Sequence, residues 1–341
     1  MKTQLEESTC VYGGSAIQTH IQSMRLEIEG VRQADDIECI HRMRVASRRL
    51  RTGLQIFSPC LSVKKSDKWR KKIRNMAHAL GEARDADVQI EKLNKFISNL
   101  PLPVYRPGVW CLQLRIKQRR VKLQLKVITA LNQLEKSRSL DQLQQAVTSY
   151  AEKVGQVYLY TPNLYKLAFI HIYANLQTLQ SYDAVVFQPD KVEELHAMRI
   201  AAKHLRYTVE TFATLYPEEL KSTIPVLRKV QDALGDIHDS DVWSQSIPEF
   251  LIDEDLRTLE YFGSSSPMKS LTPGILYFQE EQQKFRQKRY DSFVQDWQRW
   301  KADGIWETLQ ETIRLPFFVN NEGVSTSSAI PEGKDVETPS K

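Results

Sequence analysis

The chemistry legible in this 341-residue chain is that of fixed cations. Residues 41–51 read HRMRVASRRLR and residues 196–206 read HAMRIAAKHLR. On a helix advancing about 100° per residue, Arg44, Arg48 and Arg51 fall within roughly 80° of His41 and form one stripe about 15 Å long. His196, Arg199, Lys203 and Arg206 repeat the stripe in the second segment. Like charges three and four residues apart repel by a few tenths of a kcal/mol per pair. Incurring that cost twice makes sense where the stripe faces an anion or a ring of acids. Arginine suits phosphate because its planar fork offers two parallel donors and keeps its charge. Histidine adds a donor that becomes cationic when a bound anion raises its pKa.

The elements that must carry these stripes follow from the opposite helix side. Met43, Ala46, Leu50, Leu54 and Phe57 lie away from the cations in the first segment, and Met198, Leu205, Val209 and Phe212 do so in the second. Each helix therefore packs by one face and shows a basic edge on another. A second pair of similar strings follows at nearly the same offset, LGEARDADV at 80–88 and LGDIHDSDV at 234–242. Two motifs repeated in the same order indicate two tandem copies of one helical unit, about 10–155 and about 160–315. Helices are expected near 15–31, 34–58, 66–98 and 108–136, then near 163–182, 190–216, 218–250 and 273–300. The third helix of each copy is expected to break near Gly81 and Gly235, and 139–158 reads as an extra helix between the copies. Asp85 and Asp239 suit a cap or a hold on a stripe arginine. The polar stretch 320–341 reads as a disordered tail.

Scarce glycine (13 residues) and long runs of Leu, Gln, Lys, Arg and Glu point to an all-α fold. No stretch approaches the roughly 18 apolar residues of a membrane helix, and no secretory signal is visible. The four cysteines form no CxxC pair, so neither a disulfide scaffold nor a zinc site is expected, and the default compartment is a reducing cytoplasm. The net charge of +5 conceals an uneven distribution: residues 1–160 carry 28 Lys+Arg against 15 Asp+Glu, and 37–75 holds twelve basic residues against Glu38 and Asp67. Such a concentration is better tolerated when something anionic binds it.

The pair H-x-M-R-[VI]-A-x-[RK]-x-L-R and L-G-x-x-x-D-x-D-V, present twice, resembles the CHAD family, the conserved histidine α-helical domain, over about 10–315. The resemblance implies two four-helix units related by a pseudo-two-fold axis around a basic central groove or channel, and binding of inorganic polyphosphate, with gathering at polyphosphate granules. Carried over, the binding positions are His41, Arg44, Arg48, Arg51, Arg74, His196, Arg199, Lys203, Arg206 and Arg228. On the fourth helices Arg119 and Arg289 join the expected set, among other basic residues there that include Arg115, Arg120 and Arg286. His20, His78 and His204 are expected to be buried and hydrogen-bonded. The ExExK strand of the triphosphate-tunnel domain found in many relatives is missing, so the chain reads as a stand-alone, non-enzymatic binding domain without cofactor or metal, and a homodimer is left open. Nucleic-acid binding is the alternative, weakened because no aromatic residues interleave with the stripes. A metal-dependent phosphohydrolase is weaker still: His238-Asp239 is similar to an HD pair, but neither His41 nor His196 has a ligand partner one turn away.

Overall fold

The computed structural model describes residues 5–34, 36–218 and 220–322, with side chains through Arg314. The described chain is helical throughout, with no strand among the described residues. The long helices are α1 (Glu7–Gln33), α2 (Ile37–Ile56), α3 (Val63–Ser98), α4 (Arg106–Lys136) and α5 (Ser139–Ala151), followed by α6 (Pro162–Gln180), α7 (Val192–Thr211), α8 (Thr223–Phe262), α9 (Met268–Ala302) and α10 (Ile305–Glu322). Their ends follow local chemistry. The Asp36 carboxylate accepts from the Glu38 N–H and caps α2. Thr161 accepts from the Leu164 N–H and caps α6. Gly263, at φ 67°, closes α8 in the left-handed region that glycine adopts without a steric cost.

The two sequence copies make the same set of contacts. In the first, α1 packs on α2, α2 on α3, α3 on α4, and α5 lies back on α1; in the second, α6 packs on α7, α7 on α8, α8 on α9, and α10 lies on α6. The segment read as an extra helix between copies is thus the fifth helix of the first, and α10 is a counterpart that the sequence reading did not place. Residues 320–322 finish α10, and the rest of the expected tail lies outside the described residues.

The apolar faces read from the sequence are the packed ones: Met43, Leu50, Leu54 and Phe57 are fully buried, as are Met198, Leu205, Val209 and Phe212. The copies meet where α2 packs on α7 and α4 on α9. At the first contact Phe212 stacks on Tyr12 and meets Phe57 edge-on. At the second, the start of α4 and the start of α9 approach backbone to backbone. A methyl on Gly108 would overlap the Leu271 carbonyl, and one on Gly274 would overlap the Tyr105 carbonyl. Gly274→Ala is therefore expected to lower stability by about 1–3 kcal/mol, the usual cost of overpacking. A denaturant midpoint unchanged from the parent would show that the two copies need not approach so closely here.

Three expectations are corrected. Helices α3 and α8 run unbroken through Gly81 and Gly235. One mid-helix glycine costs only about 1 kcal/mol relative to alanine, which the packing of such long helices outweighs. Pro273, taken as the start of a helix, lies inside α9. Cys10 and Cys60, which no sequence spacing links, form a disulfide between the start of α1 and the short turn after α2. Chain folding brings them together across 50 residues.

Candidate anion-binding site

Because α2 packs on α7, the stripes of both copies converge on one cleft of about 170 Å³, lined by Arg48, Arg51 and Arg70 from one copy and His171, Lys203 and His204 from the other. Arg48 crosses the boundary: its Nη1 donates to the Tyr207 hydroxyl at 3.0 Å. Lys203 has no carboxylate within 4.0 Å among the described residues. Burial, followed by the charges of Arg199, Arg48 and Arg44, pushes its amine down to about 7, against the opposing pull of Asp239. Arg51 likewise has no carboxylate partner there. Burial and then Arg74, Arg70 and Arg48 press on its guanidinium. His41, exposed at the head of α2, is pushed down by burial and then by Arg84, with Arg48 and Arg44 adding to it. Its counterpart His196 is pushed down by burial, Arg199 and Lys203, and its Nδ1 lies 3.0 Å from Nδ1 of His238. Burial and the same cations take His238 to about 4, so the histidine pair is neutral at pH 7.

The L-G-x-x-x-D-x-D-V element explains how two of the arginines are held. Arg44 lies over Gly81, donates to its carbonyl at 3.2 Å and pairs with Asp85 at 3.1 Å. Arg199 lies over Gly235, 4.0 Å from Asp239. A methyl at either glycine would lie 3.8 Å from the guanidinium, in ordinary van der Waals contact, so each glycine leaves the arginine lying close along the helix. The second aspartate of each motif does another job. Buried Asp87 holds Arg120 of α4 at 2.6 Å, and buried Asp241 holds Arg286 of α9. Burial raises the Asp87 carboxyl even with Arg120 against it, so truncating Arg120 leaves a buried acid unpaired. Arg120→Ala is expected to cost about 3 kcal/mol in stability near neutral pH, with part of the loss recovered when Asp87 is also changed to Asn. An unaltered thermal midpoint for Arg120→Ala would refute that pairing.

The structure thus sorts the expected residues. Arg44, Arg48, Arg51, Arg74, Arg199 and Lys203 form one cluster, flanked by His41 and His196. Arg206 lies at its edge: its Nη2 donates at 3.4 Å to the Tyr207 hydroxyl that Arg48 also meets, and its guanidinium lies 3.8 Å from Glu210, which also takes Arg49 at 2.9 Å. Arg289 is paired with Asp236 at 2.8 Å. Arg119 donates to Gln89 at 2.6 Å and lines a separate cleft between α4 and α8. Arg228 is exposed on α8 with no contact to the cluster. His78 and His204, expected to be buried, are exposed, His78 beside Glu82 and His204 at the cleft. His20 is half-buried beside Arg49 and Glu210, and burial takes it to about 4. Sequence reading missed Tyr207 and Asn175. Tyr207 is buried, so it contributes its hydroxyl rather than a ring face on which a base could stack. Among the described residues no three His, Cys, Asp or Glu side chains gather as a metal site would require, and no helix is long and apolar enough to cross a membrane.

Comparison with known proteins agrees with the helical fold. The CHAD domain family model matches residues 15–248. Two uncharacterised proteins of Mycobacterium tuberculosis are similar: MT2285 of strain CDC 1551 / Oshkosh and Rv2226 of strain H37Rv, each 26% identical over 267 residues. That alignment takes in 78% of this chain and 48% of each relative, so the chain spans about half the length of the curated relatives it matches. Among solved structures, the CHAD domain from the plant Ricinus communis superposes with a TM-score of 0.58 at 19% identity, covering 87% of this chain and 93% of the other. PptA from Streptomyces chartreusis gives 0.56 at 14% identity, covering 84% and 98%. At these identities the two structures speak for the fold.

Proposed function

This chain belongs to the CHAD domain family, and from that premise we propose that it binds inorganic polyphosphate, without transforming it, in the cleft where α2 meets α7. The observation that carries the reading is the convergence of Arg48, Arg51 and Lys203 from two copies onto one opening, with Arg199 as a charged neighbour of Arg48 and Lys203. The acids near them, Asp85 and Asp239, pair with Arg44 at 3.1 Å and lie 4.0 Å from Arg199, respectively, and neither lines the opening. A polyanion would replace water and counterions around these cations. Each phosphate would accept from one or two fixed donors, and a long chain gains by engaging several at once. Released counterions add entropy, as they do when proteins bind nucleic acids, so affinity should fall steeply with salt. Through such binding the protein would associate with polyphosphate granules.

The direct test is a titration with long-chain polyphosphate at several salt concentrations, with duplex DNA as competitor. The expected result is a log–log salt slope of several units and weak displacement by DNA at equal charge. Displacement at equal charge would favour a nucleic-acid role, and release of phosphate that requires a divalent metal would replace binding with hydrolysis.

A further inference from the structure

Helix α3 borders the central cleft by only one flank. Arg70 reaches across to Gln55 of α2 at 3.2 Å, and Arg74 lies beside Arg51. At about 100° per residue, Lys65, Lys68 and Lys72 fall within roughly 60° of one another on the opposite flank. They line a second cleft, of about 670 Å³, between α3 and α5. Its other walls are Ser137, Ser139, Gln142 and Gln145, and no carboxylate lines it. Trp69 closes the floor, 5% exposed, its Nε1 donating to Gln142 at 3.3 Å. None of Lys65, Lys68 and Lys72, nor their neighbours Lys64 and Lys71, has a carboxylate within 4.0 Å among the described residues. Elsewhere Lys95, Lys126 and Lys153 each have one.

The second copy shows that the fold does not need these lysines. At the corresponding positions its sequence has Glu219, Ser222 and Val226. Three uncompensated lysines, Lys65, Lys68 and Lys72, facing hydroxyls and amides rather than acids, make a surface shaped for an anion with many oxygen acceptors. Lysine meets phosphate as a mobile point charge with three donors. The Gln142 and Gln145 side-chain amides supply further donors without a competing charge, while the Ser137 hydroxyl is engaged by the Leu134 carbonyl and by Ser139.

We infer that this cleft is a second polyphosphate-binding surface, and that with cations on both flanks of α3 one protein molecule joins two polyphosphate strands. The inference rests on the proposed function and extends it: a protein with one site coats the polymer, and a protein with two cross-links it. Two observables follow. A short oligophosphate binds at two sites per chain, and long-chain polyphosphate at a substoichiometric ratio builds large, light-scattering assemblies.

The experiment compares the full chain with two variants, Lys65→Glu/Lys68→Glu/Lys72→Glu and Arg48→Ala/Arg199→Ala/Lys203→Ala. Calorimetric titration with a short oligophosphate is expected to give two sites for the parent and one for each variant. Scattering with long-chain polyphosphate is expected to fall to background in both. Binding to the lysine variant with undiminished stoichiometry and scattering would overturn the inference and leave the central site standing. A parent stoichiometry of one that only the lysine variant abolishes would overturn the central assignment and, with it, the joining of two strands. Duplex DNA filling the lysine cleft in preference to oligophosphate would also overturn the inference, since the second ligand would then be a nucleic acid. Thermal melts matching the parent establish that the variants are folded.

Discussion

Replacing Arg48, Arg199 and Lys203 together with alanine is expected to weaken polyphosphate binding in the central cleft by about 1000-fold while leaving helix content unchanged. A hydrogen bond to a charged group contributes about 1.5–3 kcal/mol net, and every 1.4 kcal/mol is tenfold in affinity. Three such contacts at the low end already reach about three decades. The substitutions are unusual for half-buried arginines because they relieve repulsion as well as removing donors. Arg199 and Lys203 are both held below their ordinary ranges by burial and by neighbouring cations. Arg44 is excluded from the set because its bonds to Gly81 and Asp85 tie α2 to α3. Fitting the central site separately from the lysine cleft, or working in the lysine variant, isolates the effect. Affinity within tenfold of the parent would remove the proposed mechanism, whatever the circular dichroism showed.

The second large effect is a dependence on pH carried by Lys203. In the free protein its amine is pushed down to about 7, first by burial and then by Arg199, Arg48 and Arg44. A phosphate placed among those cations favours the charged amine, so the bound form holds its proton to higher pH. Below pH 7 the free amine is already protonated and binding takes up nothing at this group. Above pH 7 binding must take up a proton, and affinity falls by up to about tenfold per pH unit until the bound amine also titrates. Folding responds in the opposite sense. Between pH 7 and the ordinary lysine value the unfolded chain holds this proton and the folded chain does not, so this group's contribution to stability rises with pH across that window. Binding isotherms from pH 6.5 to 9 should therefore slope downward for the parent and flatten for Lys203→Arg, whose guanidinium stays charged throughout. Long-chain polymer is the suitable ligand, because only its terminal phosphates titrate near neutrality. A parent profile as flat as that of the variant would show that Lys203 does not meet the anion.

These expectations rest on residues of two kinds. The stripe and its opposite apolar face are periodic within one helix, and periodicity needs no knowledge of the partner. Met43, Leu50 and Leu54 could be assigned to the interior, and Arg44 and Arg48 to an edge, from spacing alone. The hold of Asp85 on Arg44 was readable as one of two alternatives because both motifs recur together in each copy. The fate of the other cations was not readable. Arg120, Arg286 and Arg289 look as free in the sequence as Arg48 does. Only the packing of α3 on α4 and α8 on α9 sets Asp87, Asp241 and Asp236 against them. Arg206 and Arg51 occupy matching positions, yet Arg206 has Glu210 one turn away and shares it with Arg49 of the other copy, while Arg51 is surrounded by Arg74, Arg70, Arg48 and His204 and has no carboxylate partner among the described residues.

The all-helical build, the doubling of the unit and the side of each helix that must be buried were decided by amino-acid order, because propensity and 3.6-residue periodicity act over a few turns. Which cations remain unpaired, and that they gather from two copies at one opening, was decided by how α2 lies on α7 and α3 borders both clefts. Charge acts through space, and a carboxylate a few ångströms from a guanidinium can come from any part of the chain.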